Sequence, residues 1–160
     1  MKILDCTLRD GGYHTNWEFE PEFVRDLITV LDRTVVDVIE LGYKSPLRGG
    51  KYRKCSDKFI EKTIGFVPKS KLSFMIDTKD FVIDGKLDYN LIKTNIHENS
   101  IFSMCRVATT LDFLDYAKEL VSYLNSIGYT TTINLVRASI IELSELPSVI
   151  SQIDDSDSDV

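Results

Sequence analysis

Short runs of aliphatic and β-branched residues alternate along this chain with longer stretches whose apolar positions recur every three or four residues. Residues 3–8 open the series as a β-like run that ends in the polar cluster Arg9-Asp10-Gly11-Gly12. A helix is expected over 21–32, with Phe23, Leu27, Val30 and Leu31 on one face and Glu20-Pro21-Glu22 as an acidic start. A second strand over 35–41 closes at Gly42, and a polar loop holding Gly49-Gly50 follows. Ser56 is placed to cap a helix over 57–64. The third strand covers 71–76 and ends at Asp77. Residues 79–88 read as a loop with a turn at Asp84-Gly85, and a weaker helix follows over 89–96.

The second half repeats the pattern. A fourth strand spans 101–108. The clearest helix spans 111–127, with Leu114, Ala117, Leu120, Val121, Leu124 and Ile127 as its stripe and Gly128 placed to end it. A Thr-rich fifth strand covers 129–136, and a last helix covers 144–153 with Pro147 in its first turn. Five βα units imply a parallel sheet with helical crossovers. The pattern alone fits a complete flavodoxin-like domain or part of a (β/α)8 barrel. Neither usual glycine-rich nucleotide fingerprint follows the first strand.

Composition adds bounds. The 160 residues are 43% hydrophobic and 28% charged, which suits one globular domain over 1–160. A net charge of −6 argues against nucleic acid and against anionic membrane surfaces. Cys6, Cys55 and Cys105 form no C-x-x-C pair and suit reduced thiols. No secretory signal and no apolar run of about 18 residues is present, so a cytoplasmic protein is expected. The segment from Asp154 onward reads either as a frayed acidic tail or as the loop before a sixth strand.

Candidate chemistry gathers at the expected C-terminal ends of the strands: Asp5, Arg9 and Asp10, then Glu40, Asp77, Arg106, Asn134 and Arg137. In parallel α/β folds this is the functional end. Carboxylates mixed with arginines suit a divalent cation and an anionic substrate. They equally suit arginine–carboxylate pairs that only satisfy each other.

Leu4-Asp5-Cys6-Thr7-Leu8-Arg9-Asp10-Gly11-Gly12 resembles the D-x-T-L-R-D-G signature of the DRE-TIM metallolyases, the HMG-CoA-lyase-like or pyruvate carboxyltransferase superfamily. Val38-Ile39-Glu40-Leu41-Gly42 is similar to its second-strand motif. Arg106-Val107-Ala108-Thr109 is similar to the fourth-strand R-V-A-T of the 4-hydroxy-2-oxovalerate aldolases. The resemblance implies an α/β fold, a partial TIM barrel of about five βα units that stops at the start of strand 6. It implies a divalent metal (Mn or Mg, with Zn also used) and carbon–carbon cleavage or formation through the enolate of a 2-oxo acid. Asp10 would be the metal ligand, Arg9 would stabilise the enolate oxygen, and Glu40 would sit near the metal or orient Arg9.

The match has gaps. The family completes its metal site with H-x-H on the seventh strand, and this chain has only His14 and His97. Where hydroxy-oxovalerate aldolases place a catalytic His after R-D-G, this chain has Tyr13, with His14 one residue later. Thr110 stands where their R-V-A-T is followed by His. These departures resemble an aldolase-like branch instead. Arg9, Tyr13 and His14 are the catalytic candidates, and Glu40, Asp77, Arg106 and Asn134 the substrate-binding ones. The bland counterparts are Tyr13 packed over the barrel mouth, Asp77 capping a loop, Arg106 paired only with Glu40, and Asn134 satisfying backbone. Trp17 and Phe19 are expected to staple the first helix. Five units alone have an incomplete metal site and open strand edges, so the isolated chain is expected to be inactive and to self-associate, unless a helix or the tail covers the edges. A non-catalytic interaction or regulatory domain derived from such a barrel is the alternative.

Overall fold

Five strands lie side by side and all run parallel. In the computed structural model, which describes residues 1–46, 50–156 and 158, they form one sheet in the order β1-β2-β3-β6-β7. These are β1 (Leu4–Asp5), β2 (Val38–Tyr43), β3 (Lys71–Asp77), β6 (Phe102–Thr109) and β7 (Thr130–Leu135). A small antiparallel hairpin, β4 (Val82–Ile83) with β5 (Lys86–Leu87), projects between β3 and β6. The helices are α1 (Thr7–Thr15), α2 (Pro21–Leu31), α3 (Lys51–Lys54), α4 (Asp57–Ile64), α5 (Tyr89–Asn95), α6 (Leu114–Ser126) and α7 (Leu146–Asp154).

The two faces of the sheet have different surroundings. Ile39, Leu41, Leu72, Phe74, Ile76, Cys105 and Val107 are buried in the core that Val24 and Ile28 of α2, Ile60 and Ile64 of α4, and the stripe of α6 complete. The alternate side chains Val38, Met104, Arg106, Thr130, Thr132 and Asn134 line a trough of about 850 Å³. Leu4 of β1 lines the same space. The first and last strands therefore face one another across the trough, and the sheet is curled into a half-barrel. The face of β7 shaped for a barrel interior is Thr130, Thr132 and Asn134.

Several boundaries differ from expectation. The first strand is only two residues long, because the chain turns into α1 at Thr7 rather than continuing to Leu8. Gly42 lies inside β2 instead of closing it, since a side chain there would collide with the carbonyl oxygen of Tyr52 in α3. The turn at Asp84-Gly85 joins a hairpin, with both residues in the left-handed region. Ser56 stands at the N-cap of α4, but its hydroxyl makes no capping bond; its carbonyl accepts the Ile60 N–H and Asp57 supplies the first-turn charge. Residues Leu114–Ser126 are α-helical after a 3-10 turn, and Gly128, with φ of 95°, follows the helix end as expected. Gly49 of the Gly49-Gly50 loop and most of the residues after Ser156 lie outside the described residues.

Beyond β2, the Lys44 ammonium is buried 4.8 Å from the ring centroids of both Phe74 and Phe102. It donates to Asp57 Oδ1 at 2.7 Å, while Asp57 Oδ2 accepts the Ile101 N–H at 3.1 Å. Burial pushes the Asp57 carboxyl up, but hydrogen bonds from Lys44 and Ser100 outweigh it and hold the group below its ordinary value. A lowered folded pKa adds stability that is complete above the unfolded value, about 4, and is lost as pH falls through the folded value. Urea titrations of the wild type and Asp57→Asn should therefore differ most at neutral pH and converge as pH falls below about 4.

Candidate functional site

The site is organised by the switch from β1 to α1. The Asp5 carboxylate accepts the Thr7 N–H at 3.1 Å and the Thr7 hydroxyl at 3.0 Å. These two bonds turn the chain at Cys6, whose own side chain does not cap the helix, and α1 starts at Thr7. Arg9 and Asp10 consequently ride on the first turns of α1 rather than in a loop. Arg9 Nε donates to Glu40 Oε1 at 2.7 Å. From β6, Arg106 Nη1 donates to Glu40 Oε1 at 3.0 Å and to Oε2 at 3.2 Å. Glu40 is wholly buried, on the trough-facing register of β2 opposite Ser73. One desolvated carboxylate thus holds two guanidiniums.

Arg9 also pairs through Nη1 with Asp10 Oδ1. Burial opposes the charge on Arg9, but the hydrogen bond and charge of Glu40 outweigh it and raise the guanidinium above its ordinary pKa. The Cys6 thiol donates to Asp10 Oδ2 at 3.1 Å, and burial together with Asp10 pushes that thiol up. Asp10 itself is half exposed, with 54% of its side chain open to solvent. Ser73 Oγ is buried without a hydrogen-bond partner in this network.

A second cluster adjoins the first. Tyr13 and Tyr43 share a hydrogen bond of 2.7 Å between their hydroxyls. Burial and the Tyr13 hydroxyl push the Tyr43 phenol up, so it stays protonated at neutral pH. Trp17 packs edge-on to both rings, at 4.7 Å from Tyr13 and 5.6 Å from Tyr43. The indole is seated against Gly12, where any Cβ would fall inside the ring. Arg53 of α3 lies over the faces of Trp17 and Tyr43. Trp17 therefore packs beneath the site, while Phe19 goes to Tyr52 and Phe23.

The structure joins Arg9, Asp10, Glu40 and Arg106 in one network and places Tyr13 beside Tyr43. The other candidates stand apart from it. His14 is exposed in the last turn of α1 and makes no hydrogen bond or ion pair among the described residues. Asp77 accepts from Lys79, through the ammonium at 2.7 Å and the N–H at 3.4 Å. Asn134 lines the trough with Arg106 and accepts the Thr132 hydroxyl at 3.1 Å. Sequence reasoning missed Tyr43, Ser73 and Arg53. Gly42, which lets α3 press on β2, is the one sequence signal near Arg53.

For a divalent cation the donors are too few. Both Asp10 oxygens are engaged, by Arg9 and Cys6, and among the described residues no three His, Cys, Asp or Glu side chains converge on one point. Asp10 can contribute one oxygen ligand, and the chain's described residues do not form a cation site by themselves.

No family model matches the chain. The 4-hydroxy-2-oxovalerate aldolase 2 of Mycolicibacterium smegmatis is 24% identical over 155 residues, 91% of this chain and 41% of that protein. The 4-hydroxy-2-oxovalerate aldolase of Pelotomaculum thermopropionicum is 30% identical over 81 residues, 48% of this chain and 24% of that protein. Among solved structures, the N-terminal domain of a candidate aldolase from Bacteroides vulgatus superposes with a TM-score of 0.69 at 25% identity, over 92% of this chain and 47% of that one. The chain spans less than half the length of the curated relatives it matches. No helix among the described residues is long and apolar enough to cross a membrane. In sequence the chain is similar to proteins named 4-hydroxy-2-oxovalerate aldolase, and its half-barrel resembles the N-terminal domain of a candidate aldolase.

Proposed function

We propose that this chain supplies the enolate-stabilising half of an aldolase that cleaves or forms a carbon–carbon bond next to a 2-oxo acid. The observation that carries this reading is the buried Glu40 gripping Arg9 and Arg106 at one end of a curled parallel sheet. Arg9 would hold the 2-oxo oxygen, on which negative charge grows as an enolate forms. In cleavage of a 4-hydroxy-2-oxo acid, the C4 hydroxyl loses its proton and the C3–C4 bond breaks. C4 leaves as an aldehyde, and the bonding pair becomes the enolate, which is then protonated to the 2-oxo acid. Tyr13 is the proposed proton carrier, with Tyr43 as its hydrogen-bond partner, and exposed His14 the alternative. Arg106, which shares Glu40 with Arg9, and Asn134 would face the substrate from β6 and β7, and Asp77 from the end of β3.

A divalent cation, Mn or Mg first and Zn also, is proposed with Asp10 as one ligand; it would place positive charge beside the same oxygens. The whole enzyme should release pyruvate from 4-hydroxy-2-oxovalerate in a coupled assay. Arg9→Ala should lower the rate at least about 100-fold, on the scale of losing an oxyanion donor. Equal rates in the variant, or no turnover of any 4-hydroxy-2-oxo acid, would favour a non-catalytic role.

We also propose that the 160 residues alone are inactive and self-associate, because β1 and β7 are open edge strands. Light scattering should give a mass above the 18.2 kDa of one chain. A strict monomer at all concentrations contradicts this.

A further inference from the structure

Over Trp17 and Tyr43 the structure holds a cation without a counter-charge among the described residues. Arg9 and Arg106 share Glu40, Lys44 has Asp57 and Lys79 has Asp77. Arg53 makes no ion pair among the described residues. Its guanidinium carbon is 4.3 Å from the Trp17 ring centroid and 5.1 Å from that of Tyr43. Its Nε is buried without a hydrogen-bond partner, and so is Trp17 Nε1. The two rings fix the plane of the guanidinium and lower the freedom it would lose on binding, but they do not neutralise it. Trp17, two residues beyond the end of α1, is itself held with φ of 54°, an uncommon backbone state for a non-glycine residue. A planar, pre-oriented guanidinium with unused donors suits two oxygens of a carboxylate or phosphate.

We infer that Arg53 is a specificity residue that takes an anionic oxygen group, carboxylate or phosphate, at the end of the substrate remote from the 2-oxo acid. The aldehyde released or captured would then be a charged one rather than a simple aliphatic one. Calling this group part of a substrate rests on the aldolase reading, whereas the anion site stands on the geometry alone.

The chain has one tryptophan, so its emission reports on the ring beneath Arg53. Inorganic phosphate and, separately, succinate are titrated into the full chain while Trp17 fluorescence is followed. At least one probe should give a saturable change, weakened at least tenfold in Arg53→Gln and partly restored in Arg53→Lys, with far-UV circular dichroism unchanged. The tighter of the two probes assigns phosphate or carboxylate. No saturable response to either probe, or equal affinity in Arg53→Gln, overturns the inference. Pyruvate binding is measured in parallel by NMR line broadening. Its absence together with an Arg53-dependent anion response would count against the aldolase reading and leave the anion site standing.

Discussion

Glu40→Ala is expected to cost about 3–5 kcal/mol of folding stability, the range found when one partner of a buried ion pair is removed. The reason is local. Arg9 and Arg106 are largely buried, with side-chain exposures of 13% and 17%, and both donate to the one Glu40 carboxylate. Without it the two guanidiniums face each other in a poorly solvated space, with only half-exposed Asp10 left as a counter-charge for Arg9. Glu40→Gln separates charge from shape. It keeps an acceptor but not the negative charge, so it should recover part of the packing and little of the electrostatics. Urea denaturation of both variants checks this, with alanine expected below glutamine and both well below wild type. A loss under about 1 kcal/mol for alanine would mean that the pair is solvated and not structural.

The second large effect is expected at Gly12. This residue lies within α1, where alanine ordinarily favours the helix by up to about 1 kcal/mol. Here an added Cβ would occupy the place of the Trp17 indole. The ring cannot slide aside, because Tyr13, Tyr43 and Arg53 enclose it. Gly12→Ala should therefore destabilise the chain by about 3 kcal/mol or more, combining overpacking with loss of a buried aromatic. Trp17 is 4% exposed, so its emission should shift to the red as the indole is expelled. A blue-shifted, wild-type spectrum with unchanged stability would show that the seat is looser than the structure has it.

Much of the fold was legible in the alternation of strand and helix, since apolar faces at period two and period 3.6 decide which elements exist. Its curl was not. Thr130, Thr132 and Asn134 look like one polar face of an exposed strand until Leu4 of β1, at the opposite edge of the sheet, is seen to line the same trough. The start of α1 was also hidden. Leu4, Cys6 and Leu8 alternate like a strand, and the two bonds that Thr7 donates to the Asp5 carboxylate as it ends are side-chain events with no hydrophobic period. At the site, Arg9, Asp10, Glu40 and Arg106 were readable as motif residues, and α1 brings Arg9 and Asp10 to the Glu40 of β2 that Arg106 of β6 also reaches. Tyr43 and Arg53 belong to no motif. They enter only because Gly42 and Gly12 allow α3 and Trp17 to approach the sheet closely.

Arg9, gripped by Glu40, is proposed to stabilise an enolate of a 2-oxo acid. The most direct test is exchange of the methyl protons of pyruvate in deuterium oxide, followed by NMR with the whole enzyme and a divalent cation present. Exchange is expected well above the buffer rate, and at least about 100-fold slower in Arg9→Ala. Exchange at the buffer rate in the wild-type enzyme, or undiminished exchange in Arg9→Ala, would contradict it.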